Sequence, residues 1–509
     1  MAFTYQYGDV ETEIYSQNIP RQSEAGEEPI LVLIGDGTTD STTAGDPNTV
    51  YDLRRKQVGT LFGQESRIAL YVAEARRQPQ PPGIVKTIVP ETLSIQDDDP
   101  ASNSDTLAEY PVRTDSIAVT DGSGNDLVHE VVYEHSPTAP ADSDDTDVRI
   151  NPKRGVVAPA SDISSYRVSY DALDYETVLS SSALYDSVPV SRTGLIAPIE
   201  TAESVSTQLA GSGDDENPAG TLDYMRREGR AVKGLAGIEP NQTVDGLPAV
   251  QADPNDSDAY TDAVDRRGMY LAGPAHLAFD PSSGGDWRTA LAGLAGRFAG
   301  NAISNPVYND YLEGYGELVQ SLRGPEVGHL RTENTIPIDD ERTGSGGRNL
   351  RIRGNTSTKA DPVYDDSYQT QRVLDRWLTV VQSVGNDLLG DLAFEDFQEP
   401  AETDIRNQWL DFVNAGVFVE TVSGLAAGGD GTGQQNTDPD SPGGADEQEA
   451  FYIEFEQPER GVVVVGTGVA PTPVITGVRN EIMVSTAAAI GERASEVSTA
   501  GLEPQGITL

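Results

Sequence analysis

The chain has 509 residues, with 82 acidic side chains against 35 basic ones and a formal net charge of −47. It has no basic stripe to neutralise phosphates, which excludes nucleic acid as a partner. Cysteine is absent, which removes disulfides, thiolate catalysis and cysteine-ligated zinc together.

So large a charge repels itself in dilute buffer. In about 1 M salt the Debye length falls to roughly 3 Å and a compact state becomes accessible. A halophilic origin is therefore expected, in keeping with the Asp-rich stretches 96–100 and 141–147 and with lysine confined to Lys56, Lys86, Lys153, Lys233 and Lys359. The 20 Tyr, 10 Phe and 3 Trp and clear apolar periodicities argue against an acidic disordered protein. The length allows two to four domains. No run approaches the roughly twenty apolar residues of a membrane span, so no membrane insertion is expected. Met1 to Tyr7 lacks a basic segment followed by an apolar core, and synthesis in a cytoplasm without signal-directed export is the expectation.

Residues 1–25 read as a polar, extended amino-terminal arm with Tyr5, Tyr7, Val10, Ile14 and Tyr15 as spaced anchors. A buried strand follows at Pro29 to Ile34 and stops at Gly35-Asp36-Gly37. After Leu61-Phe62-Gly63 comes a helix in which Ile68, Tyr71, Val72 and Ala75 fall on one face. Pro79, Pro81, Pro82 and Gly83 break this pattern, so a core domain is expected to begin over 26–84. From 85 to 170 the period changes to two, with short strands at Val112, Ile117 and Val119, Val128 to Tyr133, Val148 to Ile150 and Tyr166 to Tyr170. Helical patterns resume at Asp174 to Leu184. The β segment is therefore expected to be a small all-β domain inserted into an α/β (α+β) core that continues over 171–360.

In that second part Leu222, Met225, Gly229 and Val232 read as one helix, Met269 to Leu271 as a strand, and Ala290 to Ala299 as a small-residue helical face suited to close packing. A carboxy-terminal domain, 361–473, opens with a long helix over 369–392 carrying Val373, Trp377, Val380, Val381, Val384 and Leu388. Ile405, Trp409, Phe412 and Val413 mark another, and the Gly-, Asp- and Gln-rich stretch 424–447 reads as a loop. Phe451, Ile453 and Phe455 then alternate with polar residues, and Gly461 introduces Val462, Val463, Val464 and Val465. Pro471-Thr472-Pro473 directs the last segment, 474–509 with Val474, Val478, Ile482 and Val484, along an extended path. Backbone groups left over on such an arm are satisfied by adding a strand to another molecule's sheet, which suggests a joint in a polymer.

Chemistry-bearing motifs are sparse. Ile34-Gly35-Asp36-Gly37-Thr38-Thr39 lacks the lysine of a phosphate loop and the third glycine of a dinucleotide fingerprint, and reads as an ordinary turn. Arg342 to Arg348, with Arg351 and Arg353, is the one cationic cluster; a solvated face is one reading, and intersubunit ion pairs through Arg348, Arg351 and Arg353 the other. His129, His135, His276 and His329 lack the spacing of a zinc site. Asp97-Asp98-Asp99 and 142–147 lack that of a calcium loop, so no catalytic, metal or cofactor-binding residues are assigned. The glycosylation-like triplets at Asn241, Asn255 and Asn355 are too short to carry weight.

Taken in order, the chain resembles the tail sheath proteins of contractile-tailed viruses and related contractile injection particles. The likeness covers most of the chain. It is carried by Leu61-Phe62-Gly63 with Ser66, by 120–170 with Asn151-Pro152-Lys153-Arg154-Gly155-Val156-Val157, by Trp287 to Pro306, by Asn349 to Thr358, by 372–397 with 405–417, and by Glu459 to Ser485. In place of the family's early Pro-Gly-Val-Tyr stretch stands Gly8 to Tyr15. The resemblance implies a non-enzymatic subunit, without cofactor, that forms stacked hexameric rings around a tail tube, with baseplate and tail terminator proteins as further partners, on a virion tail assembled in a host cytoplasm. It implies that 85–170 faces outward, that the chain arms complete sheets on neighbouring copies, and that Asp404, Arg406 and Asn407 on the helix 403–413 touch the tube. The competing class is an acidic halophilic α/β hydrolase or phosphatase using Asp36. From the charge alone, dilution below about 1 M salt is expected to dissociate or unfold the assembly; tubes that persist unchanged in negative stain at low ionic strength would refute this.

Overall fold

The computed structural model describes residues 3–7, 10–14, 29–37, 45–52, 58–62, 66–132, 137–141, 145–190, 192–199, 203–211, 220–237, 243–244, 247–248, 268–273, 277–279, 287–301, 307–318, 322, 324–332, 334–342, 348–358, 367–388, 394–414, 416, 418, 421–423, 447–449, 451–459 and 462–469. At the amino terminus Phe3–Tyr7 (β1) and Val10–Ile14 (β2) pair antiparallel, with Phe3 opposite Ile14 and Tyr7 opposite Val10. The segment expected as one extended arm is thus a two-stranded ribbon whose strands satisfy part of each other's backbone; Tyr15 lies outside the described residues.

Ile30–Ile34 (β3) is buried at every position, the mark of a strand covered on both faces. Tyr51–Asp52 (β4) and the short helix Val58–Phe62 (α1) follow. The helix Arg67–Arg77 (α2) starts where the Ser66 side chain accepts from Ala69 N, an N-cap, and it buries Ile68, Tyr71, Val72 and Ala75 as their spacing predicts. Ile84–Ile88 (β5) pairs parallel with β3. This moves the expected domain boundary: residues 85–88 belong to the core, and the β unit begins at Glu91.

Within that unit Glu91–Asp98 (β6), Ala118–Asp121 (β7), His129–Val131 (β8), Val148–Asn151 (β9), Val156–Pro159 (β10) and Tyr166–Asp174 (β11) form two three-stranded sheets, β6-β11-β7 and β10-β9-β8. They enclose Leu107, Val119, Val148, Ile150, Tyr166 and Tyr170. The buried hydroxyls find carboxylates: Tyr166 donates to Asp105 at 2.7 Å and Tyr170 to Asp98 at 2.8 Å. Burial first, and Asp105 second, push the Tyr166 pKa up; burial does the same at Tyr170.

Tyr175–Leu179 (α3) and Ser182–Ser187 (α4) return the chain to the core strand Thr193–Pro198 (β12), followed by Glu203–Ala210 (α5), Thr221–Arg227 (α6) and Ala231–Gly237 (β13). Here the expected helix through Val232 is corrected. It ends at Arg227, Gly229 takes a φ of 75° that L side chains avoid, and Val232 lies in β13. Next come Thr243–Val244 (β14), Leu247–Pro248 (β15), Met269–Gly273 (β16), Leu277–Phe279 (β17), Trp287–Thr289 (β18), Leu291–Gly300 (α7), Tyr311–Leu312 (β19), Glu317–Leu318 (β20) and Gly324–Thr332 (α8). Ile336–Arg342 (β21) and Arg348–Ile352 (β22) close the core. Tyr368–Leu388 (α9), Phe394–Asn414 (α10), Thr421–Ser423 (β23), Glu447–Glu449 (β24), Phe451–Glu459 (β25) and Val462–Val469 (β26) complete the described chain.

The central sheet has nine strands in the order β19-β22-β21-β16-β13-β12-β3-β5-β4. The run from β21 to β5 is parallel. Chain order reverses between β3 and β12, which makes the sheet doubly wound. Alternation along β3 divides the core: Leu31 and Leu33 join α2 and α7 on one face, while Ile30, Val32 and Ile34 join α3 to α6 on the other. The small-residue face of α7 permits a close crossing with α2. A Cβ on Gly296 would stand 2.3 Å from Ala75 O, so no larger residue fits.

The core also anchors α9. Tyr368 packs its ring on Phe298 at 4.4 Å and on Tyr270 at 5.3 Å, and burial pushes its hydroxyl pKa up to about 12. One turn on, Lys233 from β13 donates to Gln371 O at 3.2 Å and pairs with Asp375. Burial pushes the Lys233 pKa down, and Asp375 opposes that shift. A buried ammonium stripped of its carboxylate costs about 3–5 kcal/mol. Asp375→Ala is therefore expected to lower folding stability by that order in denaturant titrations, whereas Asp186→Ala, which removes the exposed partner of Arg230, costs about 1 kcal/mol or less.

Candidate assembly interface

The apolar stripes of α9 and α10 meet in an aromatic cluster that seats the β25–β26 hairpin. Trp377 lies edge-on to Phe412, Phe418 and Phe451 at 5.8, 5.5 and 6.3 Å, and Trp409 stacks on Phe451 at 5.0 Å. Trp377 Nε1 donates to Thr467 Oγ1 at 3.0 Å, so the indole is satisfied by the hairpin it supports. In register, Phe451 faces Val469, Ile453 faces Thr467 and Phe455 faces Val465. Phe451, Ile453 and Val465 pack into this cluster. Their side chains thus pack within their own chain. Among the described residues β25 and β26 form a two-stranded sheet of their own. Val462, Val463 and Val464 lie in β26; Val474, Val478, Ile482 and Val484 are outside the described residues.

The residues expected at the tube divide between two surfaces. Asp404 and Asn407 line a groove of about 550 Å³ between α9 and α10, together with Arg376, Thr379, Ser383 and Gln408. Arg406 turns away and places its guanidinium over the Phe451 ring at 5.2 Å from the centroid. The groove residues Arg376, Thr379 and Ser383 carried no separate signal, since they read as the polar side of an amphipathic helix.

The arginine cluster is corrected in part. Arg351 stacks over Tyr311 at 4.5 Å and donates to its hydroxyl. Arg353 pairs with Asp339 at 3.2 Å and donates to Asn309 Oδ1 at 3.1 Å. Both are held within this chain; Arg348 stands in β22 opposite Arg342.

The motifs weighed for chemistry are structural. Asp36 is buried and bonded to Arg113 at 3.0 Å. Asp98 accepts from Ala108 N and Tyr170, and Asp99 pairs with Arg167 at 2.5 Å. Burial lowers the pKa of the half-buried His129. Asn355 is 1 % exposed, so it cannot accept a glycan. Among the described residues no cluster of three or more His, Asp or Glu could hold a metal, and no helix is long and apolar enough to cross a membrane.

No family model and no curated protein matches this sequence. Solved structures do. The helical sheath of the anti-feeding prophage in its contracted state aligns with a TM-score of 0.51 at 12 % identity, over 90 % of this chain and 93 % of that one. The chain has the fold of a contractile-tail sheath protein. At lower TM-scores, 0.44 and 0.43, it also aligns with sheath tail proteins from Desulfitobacterium hafniense and Listeria innocua. These are 10 % and 11 % identical, over 92 % and 87 % of this chain and 100 % and 95 % of theirs. In this sheath-like fold the aromatic cluster is what holds the terminal hairpin in place. Trp409→Ala is expected to cost about 3–5 kcal/mol, read as an early loss of near-ultraviolet circular dichroism on heating, with the parallel sheet melting later.

Proposed function

We propose that this chain is the sheath subunit of a contractile particle. In this reading it is a structural, non-enzymatic protein that polymerises as stacked hexameric rings around a tail tube. The observation that carries it is the fold match to the anti-feeding prophage sheath over nearly the full length of both chains. Contraction shortens and widens the rings and drives the tube through a host envelope. The energy is stored in assembly, as a metastable lattice that a baseplate releases, so no nucleotide is consumed.

The linkage between copies runs through the chain ends. Among the described residues β25 and β26 pair with each other alone, and segments from neighbouring copies, 1–14 and 474–509, extend that sheet as added strands. At about 0.5–1.5 kcal/mol net per backbone hydrogen bond, a five-residue strand contributes a few kcal/mol at every joint. In the same reading the β unit from Glu91 to Asp174 faces outward, and Asp404 and Asn407 at the α9–α10 groove face the tube. Baseplate and tail terminator proteins cap the polymer, on the tail of a virion or a related particle. The charge of −47 fits assembly in the cytoplasm of a halophilic host, where salt screens repulsion between packed copies.

Purified protein in about 2 M salt, where the Debye length is under roughly 3 Å, is expected to form striated cylinders in negative stain. A chain lacking Val474 to Leu509 is expected to stay folded by circular dichroism and to sediment as a monomer. Normal cylinders from the truncated chain would refute the end-to-neighbour linkage, and monodisperse full-length protein under every salt condition would refute the sheath reading itself.

A further inference from the structure

The β unit has a hydrophobic core of its own, and of its buried apolar residues Leu173, beside the exit at Asp174, packs instead with the central sheet. The unit's own cluster gathers residues from Leu107 to Ala172, and neither of the two clusters on the central sheet contains any of them. The chain enters the unit at Glu91 and leaves it at Asp174, and these two residues are paired across β6 and β11. The covalent connection is therefore a neck two strands wide. Such a neck resists stretching, yet bending and twisting about it cost little, and units whose apolar contact is confined to the neck, here at Leu173, move relative to each other by default.

Among the described residues two side-chain bonds cross from the unit to the core beyond this neck. Arg113 Nε donates to Asp36 Oδ2 at 3.0 Å, and Arg67 Nη2 donates to Thr114 Oγ1 at 2.5 Å. They differ in kind. Asp36 lies just past the carboxyl end of β3 with its side chain 4 % exposed, and Arg113 is held in aim by two carboxylates of its own unit, Asp115 at 3.3 Å and Asp171 at 3.9 Å. Arg113 N also donates to Asp171 O at 2.9 Å. A buried, pre-aimed ion pair is screened far less by salt than the exposed carboxylates around it, and the guanidinium fork that serves several carboxylates at once has no equivalent in an ammonium group.

We propose that Arg113 is a latch: its pairing with Asp36 fixes the orientation of the β unit over the central sheet, and its release frees the unit to pivot on the β6–β11 neck. The latch is a property of the single chain and stands apart from the proposed polymerisation. Its acceptor Asp36 stands beside the chain reversal between β3 and β12, where doubly wound sheets usually leave room for a ligand.

The absence of cysteine makes the test direct, because one label pair can be placed at will. S123C on the β unit and E228C on the core, both at exposed positions, carry nitroxide labels for double electron–electron resonance in about 1 M salt. The parent is expected to give one narrow distance distribution. R113A and R113K are expected to broaden it about twofold or more while the far-ultraviolet spectrum stays native, and T114V is expected to leave it narrow. If R113A does not fold, D36A removes the same acceptor and is measured in its place. A distribution as narrow in R113K and D36A as in the parent would overturn the latch, and so would equal broadening in T114V.

Discussion

A strand buried on both faces must be covered twice, and that requirement organises this molecule. β3 sends Leu31 and Leu33 to one side and Ile30, Val32 and Ile34 to the other. Neither set can be left in water, since each aliphatic side chain contributes about 1.5–3 kcal/mol on burial. Helices must therefore flank the sheet on both sides, and they do so as α2 and α7 opposite α3 to α6. The reversal of chain order beside β3 follows from that double covering. What remains is attached to this frame by fewer contacts, the β unit through Leu173, Arg113 with Asp36 and Arg67 with Thr114, and α9 through the Tyr368 ring and Lys233 with Asp375.

The attachment through Asp36 bears on what the topology would otherwise allow at that place. Doubly wound sheets bind ligands at the carboxyl ends of their strands, beside the reversal. Here Asp36 occupies that position, and its carboxylate is taken up by an arginine from the β unit. The same residue that could have served as an acid or a base is instead a structural acceptor, which weighs against the hydrolase reading.

Elements held by their own periodicity were legible in the sequence, and those held by distant partners were not. The five-residue apolar run of β3 and the spacing of Ile68, Tyr71, Val72 and Ala75 in α2 specify burial locally. β6 did not stand out, because Glu91 to Asp98 is largely exposed and acidic, and its extended form is held by pairing with β11. Val232 was misplaced because apolar spacing runs unbroken across Gly229, where the backbone turns. At the hairpin, alternation located the strands and the inward residues, but Phe451 would alternate in the same way against a neighbouring molecule or its own Trp409. Arg351 and Arg353 present the same limit: Tyr311 and Asp339 become their partners only once β19, β21 and β22 assemble.

The register of the terminal hairpin decides how it would carry a mechanical load. Val469, where the chain leaves β26, lies opposite Phe451 at the root, while Glu459 and Val462 form the far tip. Tension applied through the following residues therefore arrives beside the stacked Trp409 and Phe451 rings, not at the tip. A hairpin loaded across its open end parts one bond at a time, so the pair of Phe451 and Val469 bears the load first, and the seating of Phe451 on Trp409 is what resists that first step.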